Sequence, residues 1–232
     1  MATLTGIRPT GRLHFGHYAS VIKPALENPD MTVLVAGLHA PNQNAKTDMV
    51  KALRKYGVTN IKLQSLDEAL LFRLLEVTPA HLLNAMPQYK SAKDKNTLMY
   101  VYPVLMAHDM VGYDRVLVGI DQKPHIELAR DILPRVGLAC PEPIYQPVTI
   151  MDLRHPTQKM SKSDPMSCLF LDDADYERKI MRAVTDEAGR ANLIAIYTLL
   201  GGDSGEHLRS LDNKHLKLHI IEMLRGLIND QQ

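Results

Sequence analysis

Short apolar runs alternate along the chain with longer stretches of helical spacing. TLTGI (3–7) predicts a short strand, followed by a Gly/Pro turn through GIRPTG and a helix beginning near Gly16. MTVLVAG (31–37) is almost continuously apolar, the pattern of a strand buried on both faces. TDMVKALRKYG (47–57) predicts a helix with Thr47 as N-cap and Gly57 beyond its end. NIKLQS (60–65) reads as another strand, and LDEALLFRLLEV (66–77) as a helix punctuated by Pro79. RVLVG (115–119) predicts a strand, QKPHIELARDIL (122–133) the helix after it, and YQPVTIM (145–151) the last strand. From about residue 172 the pattern is helical throughout: DDADYERKIMRAV, RANLIAIYTLLG and NKHLKLHIIEMLRGLIN.

Repeated β-α units followed by helices predict an α/β protein, a doubly wound parallel sheet with a small C-terminal helical domain. The expected domains are residues 1–170 and 171–232. Such sheets bind ligands at the carboxyl ends of their strands, near the point where the strand order reverses, but the architecture alone names no function. Composition narrows the classes. With 232 residues, 45% hydrophobic and 23% charged, the chain has a globular balance. It contains no apolar run of about 18 residues, so no membrane span is expected. The start moves directly into a strand pattern, which argues against a signal peptide. Cys140 and Cys168 lie outside any C-x-x-C pairing, which suits a reduced cytoplasm. A net charge of +1 offers no global basic field, so an RNA partner would be held by local patches.

Three stretches carry candidate chemistry. HFGH (14–17) follows the first strand, and a small Gly16 at a helix start lets a phosphate or an adenine approach the backbone. His14 and His17 are open to three readings: metal ligands, nucleotide donors or helix-start packing. Metal needs further ligands at suitable spacing, and only His39 is near in sequence. KMSKSDP (159–165) crowds two lysines and two serines after the loop RHPTQ, as a polyanion clamp would, or as a solvated loop. VGIDQ (118–122) sets Asp121 just past a strand, where an acid takes ribose hydroxyls or caps a helix.

HxGH near the N-terminus and KMSKS about 140 residues later are the paired signatures of class I aminoacyl-tRNA synthetases, and the chain resembles that family. TGIRPTGRLHFGHY, YPVLMAHDM, VGIDQKPHIELARDI and KMSKSDP are similar, in order and spacing, to its bacterial tryptophanyl branch. The likeness continues through FLDDADYERKIMRAVTDEAG and NLIAIYTLLGG. The resemblance implies a Rossmann-like activation domain. It implies ATP-dependent activation of L-tryptophan to the adenylate, release of pyrophosphate, and transfer to tRNA, in a cytoplasmic homodimer. ATP would bring Mg2+ without a dedicated protein site.

The resemblance also implies roles. His14, Gly16 and His17 match the signature that holds ATP phosphates and adenine; Arg8, Pro9 and Thr10 match the phosphate-side turn before it. Gly119, Ile120 and Asp121 match the ribose turn, and Ile150 and Met151 the backbone that frames adenine. Lys159, Met160, Ser161, Lys162 and Ser163 match the mobile loop that follows pyrophosphate. Asp109 matches the carboxylate that accepts the indole N–H, and Tyr102 and Gln122 the groups that hold the α-amine. Met106, Val116 and Val118 match apolar walls of the indole pocket, with His39 beside it. His14, His17, Lys159 and Lys162 are the expected catalytic set. The other histidines, His108 and His125 among them, are expected to be structural or exposed, and the lysines of QYKSAKDK (88–95) to lie on a solvated or tRNA-facing side.

The chain departs from the family pattern in places. Gly37 stands where members commonly carry an acid, and Arg8 where many carry glutamine. The chain ends at Gln232, short of the usual helical extension, so acceptor-end recognition is expected and anticodon reading is doubtful. Two alternatives accompany the ligase reading: adenylation of tryptophan for a non-tRNA acceptor, and a catalytically silent tryptophan or nucleotide sensor.

Overall fold

The structure, a computed structural model, describes residues 1–39, 43–93, 95–203, 205, 208 and 211–229, the side chains of His39, Gln43 and Asn229 excepted. Chain contacts divide it into two units. The first comprises Met1–Pro9, Asn28–Val50 and Thr59–Gln146; the second comprises Thr10–Glu27, Lys51–Val58 and Pro147–Gln232.

The first unit holds the sheet. Strands β1 (Thr3–Ile7), β2 (Thr32–Val35), β3 (Ile61–Leu63), β4 (Arg115–Val118) and β5 (Glu142–Tyr145) are all parallel, in the order β3-β2-β1-β4-β5. Val33, Leu34, Val35, Val116, Leu117 and Val118 are all buried, as the unbroken apolar runs predict for strands whose side chains are buried on both faces. The order reverses between β1 and β4, which pair from Thr3 opposite Arg115 to Thr5 opposite Leu117. Gly6 and Arg8, at the carboxyl end of β1, are exposed there, which leaves room for a ligand at the switch point.

Among the helices of this unit are α4 (Glu68–Val77), α5 (Ala80–Ala85), α6 (Pro87–Ser91), α7 (Thr97–Asp109) and α8 (Lys123–Ile132). Asp67 caps α4 through the Leu70 N–H, and Asn96 caps α7 through the Met99 N–H. Leu4, Leu34, Leu74, Val104, Met110 and Ile126 belong to one hydrophobic core that joins sheet and helices.

The second unit opens with α1 (Phe15–His17), which runs through a π turn at Tyr18–Ile22 into α2 (Lys23–Glu27). It closes with α9 (Tyr176–Met181), α10 (Glu187–Leu199) and α11 (Asn213–Asn229). α11 packs against both α9 and α10 through an apolar face that includes Leu216, Ile220 and Leu224.

Several elements differ from expectation. The helix of residues 47–57 starts earlier, as α3 (Gln43–Lys55), so Thr47 is an exposed interior residue and not its N-cap; Gly57 does lie past its end at φ +81°. The last strand is 142–145, not 145–151. Its register is set by the β4 backbone, and an edge strand tolerates Pro143, whereas Pro147 has no N–H to continue a ladder. α7 escaped the periodic reading because it is apolar on most sides and carries Pro103 inside.

Candidate functional site

The second unit builds one group of candidate residues. The chain reaches HFGH through an extended His14 (φ −126°, ψ 169°), and the imidazole caps the helix start. His14 Nδ1 accepts from the Gly16 N–H at 3.1 Å, while the His14 N–H donates to His17 Nδ1 at 3.2 Å. The ring centroids are 3.8 Å apart. Because both Nδ1 atoms accept, the ring protons sit on Nε2. A Cβ on Gly16 would lie 2.8 Å from His14 Cε1 and 2.9 Å from Nδ1, so glycine is needed by the cap itself. Burial lowers the His14 pKa to about 4, helped by Lys162 and Lys159. His14 is therefore a neutral donor at pH 7.

Two short antiparallel ladders hold the lysine loop in the same unit. In one, Asp152 N–H donates to the Gln158 carbonyl at 2.8 Å and Met160 N–H to the Ile150 carbonyl at 3.0 Å, with Met151 opposite Lys159. In the other, Phe15 N–H donates to the Leu169 carbonyl at 2.8 Å and Leu171 N–H to the Leu13 carbonyl at 3.0 Å. The residues just after KMSKSD are thus paired to HFGH. Lys162 Nζ donates to the Thr10 carbonyl at 2.6 Å, and Ser161 and Ser163 share a hydroxyl contact at 2.9 Å. Buried Met160 anchors the loop's middle. Buried Asn192, on α10, takes the Met151 N–H and gives to the Met151 carbonyl, both at 2.9 Å. Lys179, on α9, donates to the Pro165 and Cys168 carbonyls at 2.6 and 2.8 Å and to Asp173. Its ammonium closes the segment that follows the lysine loop.

The first unit builds the other group. β4 ends at Val118, and Gly119 leads into a tight turn, Ile120–Gln122, ahead of α8. A Cβ on Gly119 would stand 2.4 Å from Asp121 Oδ1, so only glycine lets that carboxylate fold back. Gln122 Nε2 donates to Asp121 Oδ2 at 2.8 Å. Neither Gly119 nor Gln122 gives its helix start a side-chain cap, and Ile120 and Asp121 are exposed. Tyr102 and Met106 lie on α7, which ends at Asp109. Burial raises the Tyr102 phenol's pKa, with Arg8 opposing and Asp109 and Asp121 adding, so all three lie in electrostatic range of the phenol. Val116 and Val118 are core residues, and Met106 packs against that core. Pro9 is buried at the end of β1 and Arg8 exposed.

Asp109 accepts from Gln64 Nε2 at 2.6 Å through Oδ2 and meets His108 Nδ1 at 3.4 Å through Oδ1. Burial raises its pKa, while His108, Gln64 and Lys62 oppose. It borders a cavity of about 170 Å³ lined by Leu34, Lys62, Ser65 and His108 among others. That space shares only Asp109 with the residues expected around indole, and it falls below the roughly 300–1,000 Å³ of small-molecule pockets. The side chain of His39, which ends the turn Gly37–His39, lies outside the described residues.

A family model described as tRNA synthetases class I (W and Y) matches residues 58–200. The chain is 33% identical to a tryptophan–tRNA ligase of Mycoplasma genitalium, an alignment that covers 88% of this chain and 74% of that protein. It is 34% identical to one from a Nostoc species, over 88% and 76%. The structure of tryptophanyl-tRNA synthetase from Mycoplasma pneumoniae superposes with a TM-score of 0.87 at 27% identity, covering 99% of this chain and 87% of that one. The chain belongs to the class I tRNA synthetases (W and Y).

In this synthetase the second unit carries Thr10, His14, Gly16, His17, Ile150, Met151 and Lys159 to Ser163, and the first carries Arg8, Pro9, Tyr102, Met106, Asp109, Val116, Val118 and Gly119 to Gln122. Sequence reasoning missed Gln64, Lys179 and Asn192. Asn192 had a signal, a polar residue on the buried face of an apolar helix. Gln64 stands at the polar end of the run NIKLQS. His108 is buried and bonded. His125 is fully buried, packs edge-on against Tyr102 with centroids 5.4 Å apart, and among the described residues has no hydrogen-bond partner on either ring nitrogen.

Proposed function

We propose that this chain is a tryptophan–tRNA ligase. It joins the carboxylate of L-tryptophan to the α-phosphorus of ATP, releases pyrophosphate, and passes the activated amino acid to tRNA. The observation that carries the reading is the single body formed by HFGH and KMSKS, in a chain one third identical to tryptophan–tRNA ligases over most of its length. The attacking carboxylate is already ionised, so no general base is required; the protein aligns the reactants and neutralises charge on the phosphates.

His14 and His17 give N–H donors to the phosphates, and Lys159 and Lys162 give positive charge. A neutral His14 adds a donor without repelling the lysines beside it. Thr10, with Arg8 and Pro9, forms the phosphate-side turn; Met160, Ser161 and Ser163 complete the loop. Gly16, Ile150 and Met151 frame adenine, and Gly119, Ile120 and Asp121 hold ribose. Tyr102 and Gln122 hold the α-amine, Asp109 accepts the indole N–H, and Met106, Val116, Val118 and His39 shape the amino-acid pocket. A buried acceptor that only a donor can fill rejects phenylalanine.

The groups gathered on the second unit are donors and cations, which fit a polyphosphate rather than a bare metal ion; Mg2+ arrives on ATP. In function, residues 1–170 supply the activation domain and 171–232 the helical domain. The active form is a cytoplasmic homodimer; Phe72 on α4, 70% exposed, is the kind of apolar residue a partner covers. Among the described residues no helix is long and apolar enough to cross a membrane.

Pyrophosphate exchange into ATP, run across the amino acids, tests activation. The expected result is exchange with tryptophan alone; exchange with none, or with another amino acid, overturns the reading. Charging of tryptophan tRNA tests transfer. Adenylate formation with no charging would replace tRNA by another acceptor.

A further inference from the structure

Asp109 is held from two sides by groups that are themselves held by backbone. Gln64 stands at the carboxyl end of β3, its N–H bonded to the Val35 carbonyl at 3.0 Å. Its Oε1 accepts the Leu38 N–H at 2.9 Å. That bond decides the amide orientation: with the oxygen committed to a donor, Nε2 must face Asp109 Oδ2, which it reaches at 2.6 Å. A flipped amide would set oxygen against carboxylate. His108 repeats the device. Its Nε2 accepts the Asp67 N–H at 3.1 Å, so the ring proton sits on Nδ1, facing Asp109 Oδ1 at 3.4 Å. The second contact is longer, so Gln64 carries more of the hold.

We infer that Gln64 and His108 are positioning residues that set substrate specificity: each relays a fixed backbone N–H through a side chain to one Asp109 oxygen, orienting the carboxylate to accept an indole N–H. A carboxylate has about four lone-pair sites, so two such donors leave acceptor capacity on both oxygens. They also offset the burial that disfavours its charge. The inference rests on the proposed role of Asp109.

The test compares kcat/KM in pyrophosphate exchange for tryptophan and for β-benzothienylalanine, which keeps the shape but replaces the N–H by sulfur. Their ratio reads the N–H contact. It is measured within whatever active protein remains, so lost folded material does not move it. Gln64→Leu is expected to lower the ratio by about tenfold, in keeping with loss of a hydrogen bond to a charged group, with KM for ATP unchanged. His108→Leu should lower it less, and His108→Asn, which retains a donor near the Nδ1 position, should restore part. If Asp109→Ala erases the preference while Gln64→Leu and His108→Leu keep the wild-type ratio, the inference is wrong and the role of Asp109 stands. A ratio that rises in Gln64→Leu would make Gln64 a competitor for the carboxylate and overturn the inference. If Asp109→Ala keeps the ratio, Asp109 does not read the N–H, and the inference falls together with that role.

Discussion

Replacing Lys179 by methionine removes a buried ammonium but keeps much of the apolar stem. Lys179 is 8% exposed, and its donors go to the Pro165 carbonyl, the Cys168 carbonyl and Asp173, which is also 8% exposed. The variant leaves a buried carboxylate without its cation, and two carbonyls without a donor. Breaking a buried pair from one side costs about 3–5 kcal/mol. That is a large fraction of the ~5–15 kcal/mol that holds a typical domain together. Urea unfolding followed by circular dichroism reads the loss; with a slope of ~1–3 kcal/mol/M, a midpoint shift of at least about 1 M is expected. Lys179→Met combined with Asp173→Asn removes the stranded charge and should recover about half of the loss. The lysine loop lies directly upstream of Pro165, so KM for ATP in pyrophosphate exchange should rise in the single variant. A loss below about 1 kcal/mol, or a double variant no better than the single one, would refute the view that this ammonium clamps the segment.

Three further outcomes are expected. Gly16→Ala should displace the His14 ring and lose its cap, lowering stability by ~1 kcal/mol and kcat/KM for ATP with it; calorimetry and exchange kinetics of unchanged values would contradict the steric reading. His14 and His125 are each lowered from 6.5 to about 4, mainly by burial. The unfolded chain then binds protons that the folded one does not, so stability is full above pH 6.5 and falls as pH drops toward 4, by at most about 3 kcal/mol per histidine. His125→Phe removes one share and should flatten the acid limb of unfolding midpoints; an unaltered limb would show that His125 is not the buried neutral ring described. Phe72→Asp should shift the proposed dimer toward monomer in light scattering at micromolar concentration, and an unchanged mass would move the interface elsewhere.

The strands and most helices were legible because burial leaves a period: runs such as Val33 to Val35 and Val116 to Val118 are apolar since both sheet faces are covered, and α8, α10 and α11 show one apolar face. α7 was not, because a helix set in the core has little polar face to mark its period. Strand β5 was misplaced since its limits depend on hydrogen bonds to β4, which no local pattern records.

The sequence by itself determined the order of β-α units and the residue types of both signatures. Those follow from local periodicity and from short motifs, which need only neighbours in the chain. Tertiary structure decided the rest. It paired residues 13–15 with 169–171 and set Lys162 on Thr10. It made His14 a neutral donor, since desolvation exists only once the chain has closed around the ring. It gave Gly16 a reason in the His14 imidazole and Gly119 one in the Asp121 carboxylate. It also recruited Gln64, His108, Lys179 and Asn192. Each is an ordinary polar residue in sequence, and each acquires its role from a partner that folding brings within a hydrogen bond's reach.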